Sequence, residues 1–306
     1  MQDGVLIVDK PAGMSSAQVV ANVKKCLGAR KVGHAGTLDP SATGVLVCLI
    51  NRATRLARFF LSGKKQYQAT LCLGIDTDTQ DAAGRVLDCR VVPDFSKDHL
   101  RQVFDRFVGI IEQAPPVYSA LKYKGVPLYK LARSGCSVQK PARRVNIERL
   151  TINRIALPEV SFSVTCSGGT YIRTLCADIG RQLGCGGHLR NLRRSMSSGF
   201  TLDEAIGLEA LKRRTADSRQ PLPLVPLGDA LKGMPTLKAD RATAAKIKFG
   251  GALALTDFTD LPPDATAMIN GEQGTYCKVF DSDQNLIAVV AVHMHRETIA
   301  YCGVFT

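Results

Sequence analysis

The order of strand-type and helix-type segments is the feature that most limits how this chain can fold. Residues 5–8, 45–50 and 160–166 are runs of β-branched and other apolar residues, which is typical of strands. Helical periodicity separates only some of the strand-type segments, so the regular strand–helix alternation of a parallel sheet is missing. We therefore predict an α+β fold in which helices flank a mixed, largely antiparallel sheet.

Two helices have clear local signals. Ser15 or Ser16 can cap a helix that carries a valine stripe and stops at Gly28. Another helix should follow the pair Gly168-Gly169, since apolar residues recur there at helical spacing.

The length of the chain favours two domains. With 306 residues it exceeds what one compact core usually supports. A Pro-rich stretch at residues 221–235 is typical of a boundary. We expect one domain at residues 1–220, a linker at 221–235 and a small β-rich domain at 236–306.

Composition excludes several classes of protein. The longest apolar runs, residues 44–50 and 286–292, are much shorter than the roughly 20 residues of a membrane span. No secretion signal is visible at the N-terminus. The ten cysteines are scattered and no two have Cys-x-x-Cys spacing, which argues against a disulfide framework and a zinc site. We expect a cytoplasmic protein.

Two other segments resemble metal sites only superficially. Residues 76–81 alternate acids with polar residues, but they lack the glycine and the final glutamate of a calcium loop. His293 and His295 could face the same side of a strand, yet no third ligand is near in sequence. We therefore expect no metal.

Charge is distributed unevenly along the chain. The net charge is +13, and residues 235–306 hold six Lys and Arg against eight Asp and Glu, a net of −2. Residues 119–149 hold eight basic residues and one acid, Glu148. Such an excess suits a polyanion, because phosphate neutralisation releases counterions. A merely soluble basic surface explains the charge equally well.

A Gly-rich loop at residues 33–40 places one carboxylate, Asp39, directly before Pro40. The glycines let the backbone approach a ligand closely, and the proline biases Asp39 towards extended geometry. An aspartate before a proline more often only stabilises a turn. The loop alone leaves both interpretations open.

Five ordered motifs resemble those of the TruB-type tRNA pseudouridine-55 synthases. The resemblance covers residues 4 to about 210, with a weaker similarity to a PUA-like RNA-binding module beyond. The motifs are residues 4–11 (GVLIVDKP), 33–44 (GHAGTLDPSATG), 65–67 with 74–79 (KQY and GIDTDT), 115–122 (PPVYSALK) and 168–174 (GGTYIRT).

The resemblance implies a pseudouridine-synthase fold and a role for each matching residue. Asp39 matches the catalytic aspartate, and Arg173 matches the arginine that keeps it ionised. Tyr67 matches the tyrosine that stacks on the target base and assists the last deprotonation. The remaining matches are to substrate contacts or to support of the active-site loop: His34, Tyr171, Leu192 and Lys10.

The basic segment at about residues 115–144 resembles the family's thumb, which folds over the T stem-loop of tRNA. Its cations are Lys122, Lys124, Lys130, Arg133, Lys140, Arg143 and Arg144. The thumb favours a stand-alone enzyme over guide-RNA-dependent relatives. The resemblance thus implies conversion of uridine 55 by base flipping, in a monomer without cofactor, guide RNA or obligatory protein partner.

Three alternatives stay open at this stage. A protein of this fold could bind RNA without catalysis, or it could modify another RNA or another uridine. A carboxylate-based nucleoside or glycoside hydrolase is the third alternative, but such enzymes usually need two carboxylates. The loop supplies only Asp39.

Overall fold

The computed structural model describes residues 2–217, 221–261, 267–269, 272–293 and 296–305. The helices of these residues are α1 (Ser16–Leu27), α2 (Ala57–Leu61), α3 (Lys97–Asp105), α4 (Leu128–Arg133), α5 (Ile172–Gln182), α6 (Leu208–Ala216), α7 (Leu227–Ala230) and α8 (Arg241–Lys248). The strands are β1 (Gly4–Lys10), β2 (Val32–His34), β3 (Thr43–Ile50), β4 (Lys65–Leu73), β5 (Ile75–Thr77), β6 (Val86–Cys89), β7 (Gly109–Gln113), β8 (Lys122–Tyr123), β9 (Val126–Pro127), β10 (Arg143–Ala156), β11 (Glu159–Cys166), β12 (Gly187–Ser197), β13 (Phe200–Thr201), β14 (Ile206–Gly207), β15 (Leu224–Val225), β16 (Thr236–Lys238), β17 (Ala267–Ile269), β18 (Glu272–Phe280), β19 (Leu286–His293) and β20 (Thr298–Val304).

An eleven-stranded sheet forms the larger part of the molecule. Its order is β14-β1-β3-β12-β4-β11-β10-β7, and β2, β13 and β15 pair with β3, β12 and β1. The β1–β14 and β3–β12 pairs are parallel, whereas the other pairs along this order are antiparallel. The predicted mixed, largely antiparallel sheet is confirmed.

Helix α1 begins and ends as its capping residues predict. The Ser15 side chain accepts a hydrogen bond from the backbone N–H of Gln18, and Gln18 reaches back to Ser15 to complete a capping box. Gly28 takes the left-handed conformation that terminates the helix. Val19 and Val23 are buried, so this face of α1 packs on the sheet.

Helix α5 packs in the main core beside the strands that carry the site. Ile172, Leu175 and Ile179 line its buried side. At Gly180 the helix comes so close to the turn at 186–187 that a Cβ atom would lie 2.4 Å from backbone atoms. A glycine is therefore required there, and the start of α5 is held at a set distance from the sheet.

The basic segment at 115–144 lies outside the main sheet for most of its length. It contains the small β8–β9 hairpin and helix α4, and Leu128 is its most buried large apolar residue. Arg143 and Arg144 belong instead to β10, where they pair with β7. The segment is thus a surface insertion whose end continues into the sheet.

The last part of the chain forms a second, smaller sheet. Its order is β16-β18-β19-β20, with β17 beside β18. Helix α8 covers it, and Leu237, Ile247 and Val290 are among its fully buried residues. The predicted small β-rich unit is therefore present.

The segment at 221–235, which we predict as a linker, packs against both sheets. Strand β15 pairs antiparallel with β1 at the edge of the large sheet. Ala230 and Leu231 are buried in a cluster with Val5 of the large sheet and Val289 of the small one. Prolines prevent a long helix here, but the apolar residues between them still gain by burial. The segment is a packed connection between the two sheets.

No helix in the described part of the chain combines the length and the apolar character that a membrane crossing needs.

Replacing Gly44 should destabilise the fold. Its φ is +102°, and an added Cβ would lie 2.2 Å from the carbonyl oxygen of Arg194 on the neighbouring strand. We expect Gly44→Ala to lower the free energy of unfolding by about 3 kcal/mol or more in urea titrations, from backbone strain together with overpacking.

Gly28→Ala is the matched control, since Gly28 also has a positive φ, +56°, but has no neighbouring atom within 4 Å of the added Cβ. Its cost should be about 1–2 kcal/mol. Equal losses of unfolding free energy in the two variants would show that the backbone carbonyl of Arg194 does not exclude a side chain at position 44.

Candidate active site

The Gly-rich loop between β2 and β3 is held in place by the buried side chain of Lys10. The buried ammonium group of Lys10 donates hydrogen bonds to the carbonyl oxygens of Pro11 (2.9 Å), Pro40 (3.2 Å) and Ala42 (2.6 Å). Burial lowers the pKa of Lys10 to about 8. Because Pro40 and Ala42 follow Asp39 in the chain, Lys10 fixes the path of the backbone on the C-terminal side of the carboxylate.

Ser16 supports the same loop from the first turn of α1. Its hydroxyl accepts a hydrogen bond from the backbone N–H of Leu38 and donates one to the carbonyl oxygen of Leu38, both at 2.9 Å. The Leu38 side chain is buried in the main core. The residue before Asp39 is therefore anchored through its backbone and through its side chain.

Asp39 and Arg173 face each other across the site. The Nε of Arg173 lies 3.0 Å from one carboxylate oxygen of Asp39, and its Nη2 lies 3.5 Å from the other. The side chain of Arg173 is 6% exposed, whereas that of Asp39 is 36% exposed. The carboxylate thus opens towards solvent while its partner is buried behind it, as a reacting group requires.

Arg173 also binds two other segments. Its Nη1 donates to the carbonyl oxygen of Thr79 at 3.0 Å and lies 3.5 Å from a carboxylate oxygen of Asp81. Its Nη2 donates to the carbonyl oxygen of Tyr118, at the base of the basic insertion, at 2.9 Å. One guanidinium therefore connects α5, the Gly-rich loop, the turn after β5 and the insertion.

Opposing effects act on the Asp39 carboxyl. Burial raises its pKa above the ordinary value, and the negative charge of Asp81 adds to this rise. The positive charges of Arg173 and Lys10 lower the pKa. Burial dominates, so the ionised form of Asp39 depends on its guanidinium partner.

Tyr67 forms an aromatic wall of the same site. It lies on β4, is 8% exposed, and packs in the core cluster that includes Leu38 and Ile172. Burial raises the pKa of its phenol, and the nearby Asp39 charge raises it further. The ring and the carboxylate therefore share one environment, and the phenol is neutral in the resting protein.

His34 and Leu192 lie on strands that border the loop. His34 is at the end of β2, and its buried Nδ1 has no hydrogen-bond partner among the described residues. Burial and the charge of Arg194 lower the pKa of His34, so its imidazole is neutral near pH 7. Leu192 pairs with Ala69 across β12 and β4 and packs, partly buried, on the main core.

Tyr171 immediately precedes α5 and has a fixed backbone. The amide of Gln113 donates to its carbonyl oxygen at 3.0 Å and accepts from its N–H at 2.7 Å. The guanidinium of Arg143 lies 5.1 Å from the centre of the Tyr171 ring and also donates a hydrogen bond to the carbonyl of Gly169. Arg143 is therefore part of the wall near α5, separate from the exposed insertion.

The other predicted cations of the insertion lie outside this wall. Two of them lie near the ring of Tyr123: the ammonium of Lys140 is 5.0 Å and that of Lys124 is 5.6 Å from the ring centre. Arg133 lies 5.7 Å from the ring centre of Tyr129. All but Lys140 are exposed: Lys122, Lys124, Lys130, Arg133 and Arg144.

Sequence reasoning missed several residues that shape the site. Asp81 lies in the acid-rich segment considered above only as a calcium loop, although its position after the GIDTDT motif was a usable signal. Ser16 was considered only as a helix cap. Lys65 is the first residue of the KQY motif, but nothing in the sequence marked Gln113 or the buried Arg194 as neighbours of the site.

The arrangement limits the possible chemistry. Asp39 is the carboxylate that opens to the site, whereas Asp81 lies behind Arg173 and is only 12% exposed. A pair of carboxylates flanking a bond is thus not formed by these two residues. Among the described residues no group of three or more His, Cys, Asp or Glu could hold a metal ion, and His295 lies outside them. The site thus combines one partly exposed carboxylate, Asp39, with the neighbouring ring of Tyr67.

Comparison with known proteins identifies the family. The description "TruB family pseudouridylate synthase (N terminal domain)" matches residues 24–172, and "tRNA pseudouridylate synthase B C-terminal domain" matches residues 173–232. The chain belongs to the TruB family of pseudouridylate synthases, which confirms the resemblance noted in the sequence.

Relatives and solved structures agree with this assignment. The tRNA pseudouridine synthase B of Burkholderia mallei (strain NCTC 10247) is 43% identical over 289 residues, covering 94% of this chain and 92% of the relative. That of Syntrophus aciditrophicus (strain SB) is 45% identical, covering 81% and 79%. A chain in the crystal structure of a Cbf5-Nop10-Gar1 complex matches with a TM-score of 0.77 and 27% identity, covering 99% of this chain and 84% of that one.

Removing the guanidinium of Arg173 should destabilise the protein. Arg173→Met keeps much of the side-chain volume but leaves Asp81 without its cationic partner and the carbonyls of Thr79 and Tyr118 without their side-chain donor. We expect the free energy of unfolding to fall by about 3–5 kcal/mol in urea titrations, the usual cost of breaking a buried charge pair.

Arg181→Met provides the control on the same helix. The side chain of Arg181 is 72% exposed and pairs with Asp178 at the surface. Its loss should change stability by less than about 0.5 kcal/mol. A similarly small effect at Arg173 would show that the segments around the site do not depend on it.

Proposed function

We propose that this protein isomerises uridine to pseudouridine at position 55, in the T loop of tRNA. The observation that carries the proposal is the pair of Asp39, 36% exposed, and Arg173, 6% exposed, with Tyr67 as the adjoining wall. Membership of the TruB family supports it, as do relatives named tRNA pseudouridine synthase B.

The reaction exchanges one bond for another within a single nucleotide. The bond between N1 of uracil and C1′ of ribose breaks, the detached base turns, and C5 bonds to C1′. C5 then loses its proton, and a proton is gained at N1, so that atoms and charge balance. Asp39 starts the cleavage in its ionised form. Arg173 supplies the positive charge that opposes the effect of burial on Asp39.

The flipped base needs a surface on which to lie. The ring of Tyr67 supplies it, since stacking of a base on an aromatic side chain is worth about 1–3 kcal/mol. Tyr171 and Leu192 form other parts of the pocket wall. His34, neutral and with a buried free Nδ1, helps to hold the extruded nucleotide, and Lys10 keeps the catalytic loop in position.

The basic insertion, here called the thumb, binds the T stem-loop. Extracting a base from folded RNA costs a few kcal/mol of stacking, which contacts to the backbone can offset. The exposed cations of the thumb lie on a segment that begins near Tyr118, and the carbonyl oxygen of Tyr118 accepts a hydrogen bond from Arg173. RNA loops are recognised through shape and splayed bases, which suits an insertion that folds over them.

Because the thumb is part of this chain, the enzyme works as a monomer without a guide RNA or an obligatory protein partner. Its place of action is the cytoplasm. Residues 1–220 form the catalytic domain. Residues 236–306 form a PUA-like RNA-binding domain, and the packed segment at 221–235 holds it against the catalytic domain. The net charge of −2 on the C-terminal domain favours contacts with RNA through particular groups over a general attraction to phosphate.

Asp39→Asn should abolish pseudouridine formation and leave tRNA binding within about threefold, because the amide keeps the size of the side chain but cannot ionise. Release of tritium from tRNA labelled at C5 of uridine measures turnover, and filter binding measures affinity. Asp98→Asn, at a side chain 84% exposed on α3, is the control and should behave as the wild type.

Two outcomes would contradict this assignment. Full activity of Asp39→Asn would remove the aspartate from the mechanism. Free uracil as the product of the wild-type protein would identify a hydrolase.

The thumb cations should determine the salt dependence of tRNA binding. Replacing Lys124, Lys130 and Arg133 by alanine removes three exposed charges from the thumb. If each contacts a phosphate, the slope of log Kobs against log salt concentration should become shallower by about 2.

The control removes equal charge from α3 and its C-terminal end, at Lys97, Arg101 and Arg106. This triple variant should keep the wild-type slope. The same change of slope in both variants would mean that only total charge matters, and the thumb would lose its assigned role.

A further inference from the structure

Arg194 is a fully buried cation directly beside Tyr67. It lies on β12, where it is the register partner of Tyr67 on the antiparallel strand β4, and it is 1% exposed. Side chains that face each other across an antiparallel pair lie on the same side of the sheet. Arg194 therefore belongs to the layer beneath the catalytic loop, and the mechanism above gives it no task.

The guanidinium of Arg194 is bound by main-chain groups. Its Nε donates to the carbonyl oxygen of Val45 at 2.7 Å, and its Nη2 donates to that of Gly36 in the catalytic loop at 3.0 Å. The described residues include no carboxylate that pairs with it. Its neighbour Arg193, on the other face of β12, does pair with an acid, Asp9, at 2.9 Å. The positive charge of Arg194 thus stays uncompensated in the interior, which is costly unless it has a use.

This charge acts on the titratable groups around it. It lowers the pKa of Lys10 and of Lys65, each to about 8 with burial as the larger cause, and it lowers that of His34. At Tyr67 the positive charge of Arg194 lowers the pKa of the phenol against the effect of burial. Because the two residues are also register partners on neighbouring strands, Arg194 is the positive group beside Tyr67.

A phenol can take a proton only as the phenolate. Forming that anion in a site 8% exposed is unfavourable unless a cation is in contact with the oxygen. Asp39 and Cys166, the other ionisable neighbours of the phenol, oppose the anion. Among the groups that act on Tyr67, Arg194 is the one that favours it.

We propose that Arg194 is a positioning residue for the last step of the reaction, holding the Tyr67 oxygen and stabilising its negative charge while Tyr67 removes the C5 proton. The inference rests on the function proposed above. The C5–H bond breaks and its electron pair forms the C5–C6 double bond. Tyr67, neutral at rest, first releases its phenol proton to solvent, and the C5 proton that its phenolate then takes restores the neutral phenol. The π pair of the C6–N1 double bond moves to N1, which takes a proton from solvent.

The test uses tRNA whose target uridine carries deuterium at C5. In Arg194→Met the proton removal should become rate-limiting. We expect kcat to fall about 100-fold, within the usual contribution of general base catalysis. A primary deuterium isotope effect on kcat should appear that the wild type lacks, while tRNA affinity stays unchanged. Arg193→Met, which removes the neighbouring arginine on the opposite face, should show neither change.

A second measurement separates charge stabilisation from structural support. Site-specific fluorotyrosine at position 67 has a more acidic phenol, so it should restore a large part of the activity of Arg194→Met and abolish its isotope effect. Arg194→Lys, which keeps the charge in a smaller group, should fold even if the methionine variant does not. It should show an isotope effect between those of wild type and Arg194→Met.

The outcomes distinguish this inference from the proposed function. Slow turnover of the Arg194 variants without an isotope effect, or without rescue by fluorotyrosine, would overturn the role of Arg194 and leave the pseudouridine synthase assignment intact. Absence of pseudouridine in the products of the wild-type protein would overturn the assignment itself, and this inference with it.

Discussion

The contacts of Arg173 are the interaction on which the rest of the active site depends. The guanidinium reaches Asp39 in the catalytic loop, Asp81 after β5 and the carbonyl of Tyr118 at the base of the thumb. These segments are far apart in sequence and share no sheet pairing at these points. A planar group with five donors can satisfy several acceptors in fixed directions, which a lysine cannot do. One side chain therefore links the Asp39 carboxylate to the base of the basic insertion.

Beneath the loop, buried cations are satisfied by main-chain carbonyls. Lys10 binds the loop at Pro40 and Ala42, Lys65 binds the carbonyls of 60, 61 and 63, and Arg194 binds that of Gly36. Carbonyl dipoles satisfy the hydrogen bonds without neutralising the charge. The layer under the loop is consequently positive, which favours a negative charge at Asp39 and at any group that becomes anionic during the reaction.

Local signals were predictable where the backbone itself carries the information. The capping box at Ser15, the stop at Gly28 and the Gly-rich loop with Asp39 are all determined by neighbours within a few residues. The segment at 221–235 was not predictable in the same way. Its prolines indicate a boundary, whereas its burial depends on apolar surfaces from both sheets that meet only in the folded chain. The motif beside Asp81 could mark its position but not its contact, because its partner Arg173 lies 92 positions away.

The sequence by itself determined the family and the mixed sheet and singled out Asp39 as the candidate carboxylate, since ordered motifs and local propensities are properties of short segments. Only the tertiary structure decided what surrounds that carboxylate. The positive charge beside Tyr67 arises because β12 pairs with β4 and places Arg194 opposite Tyr67. The ionisation of a buried group depends on distance and solvent exposure, and both arise when strands and loops remote in sequence come together.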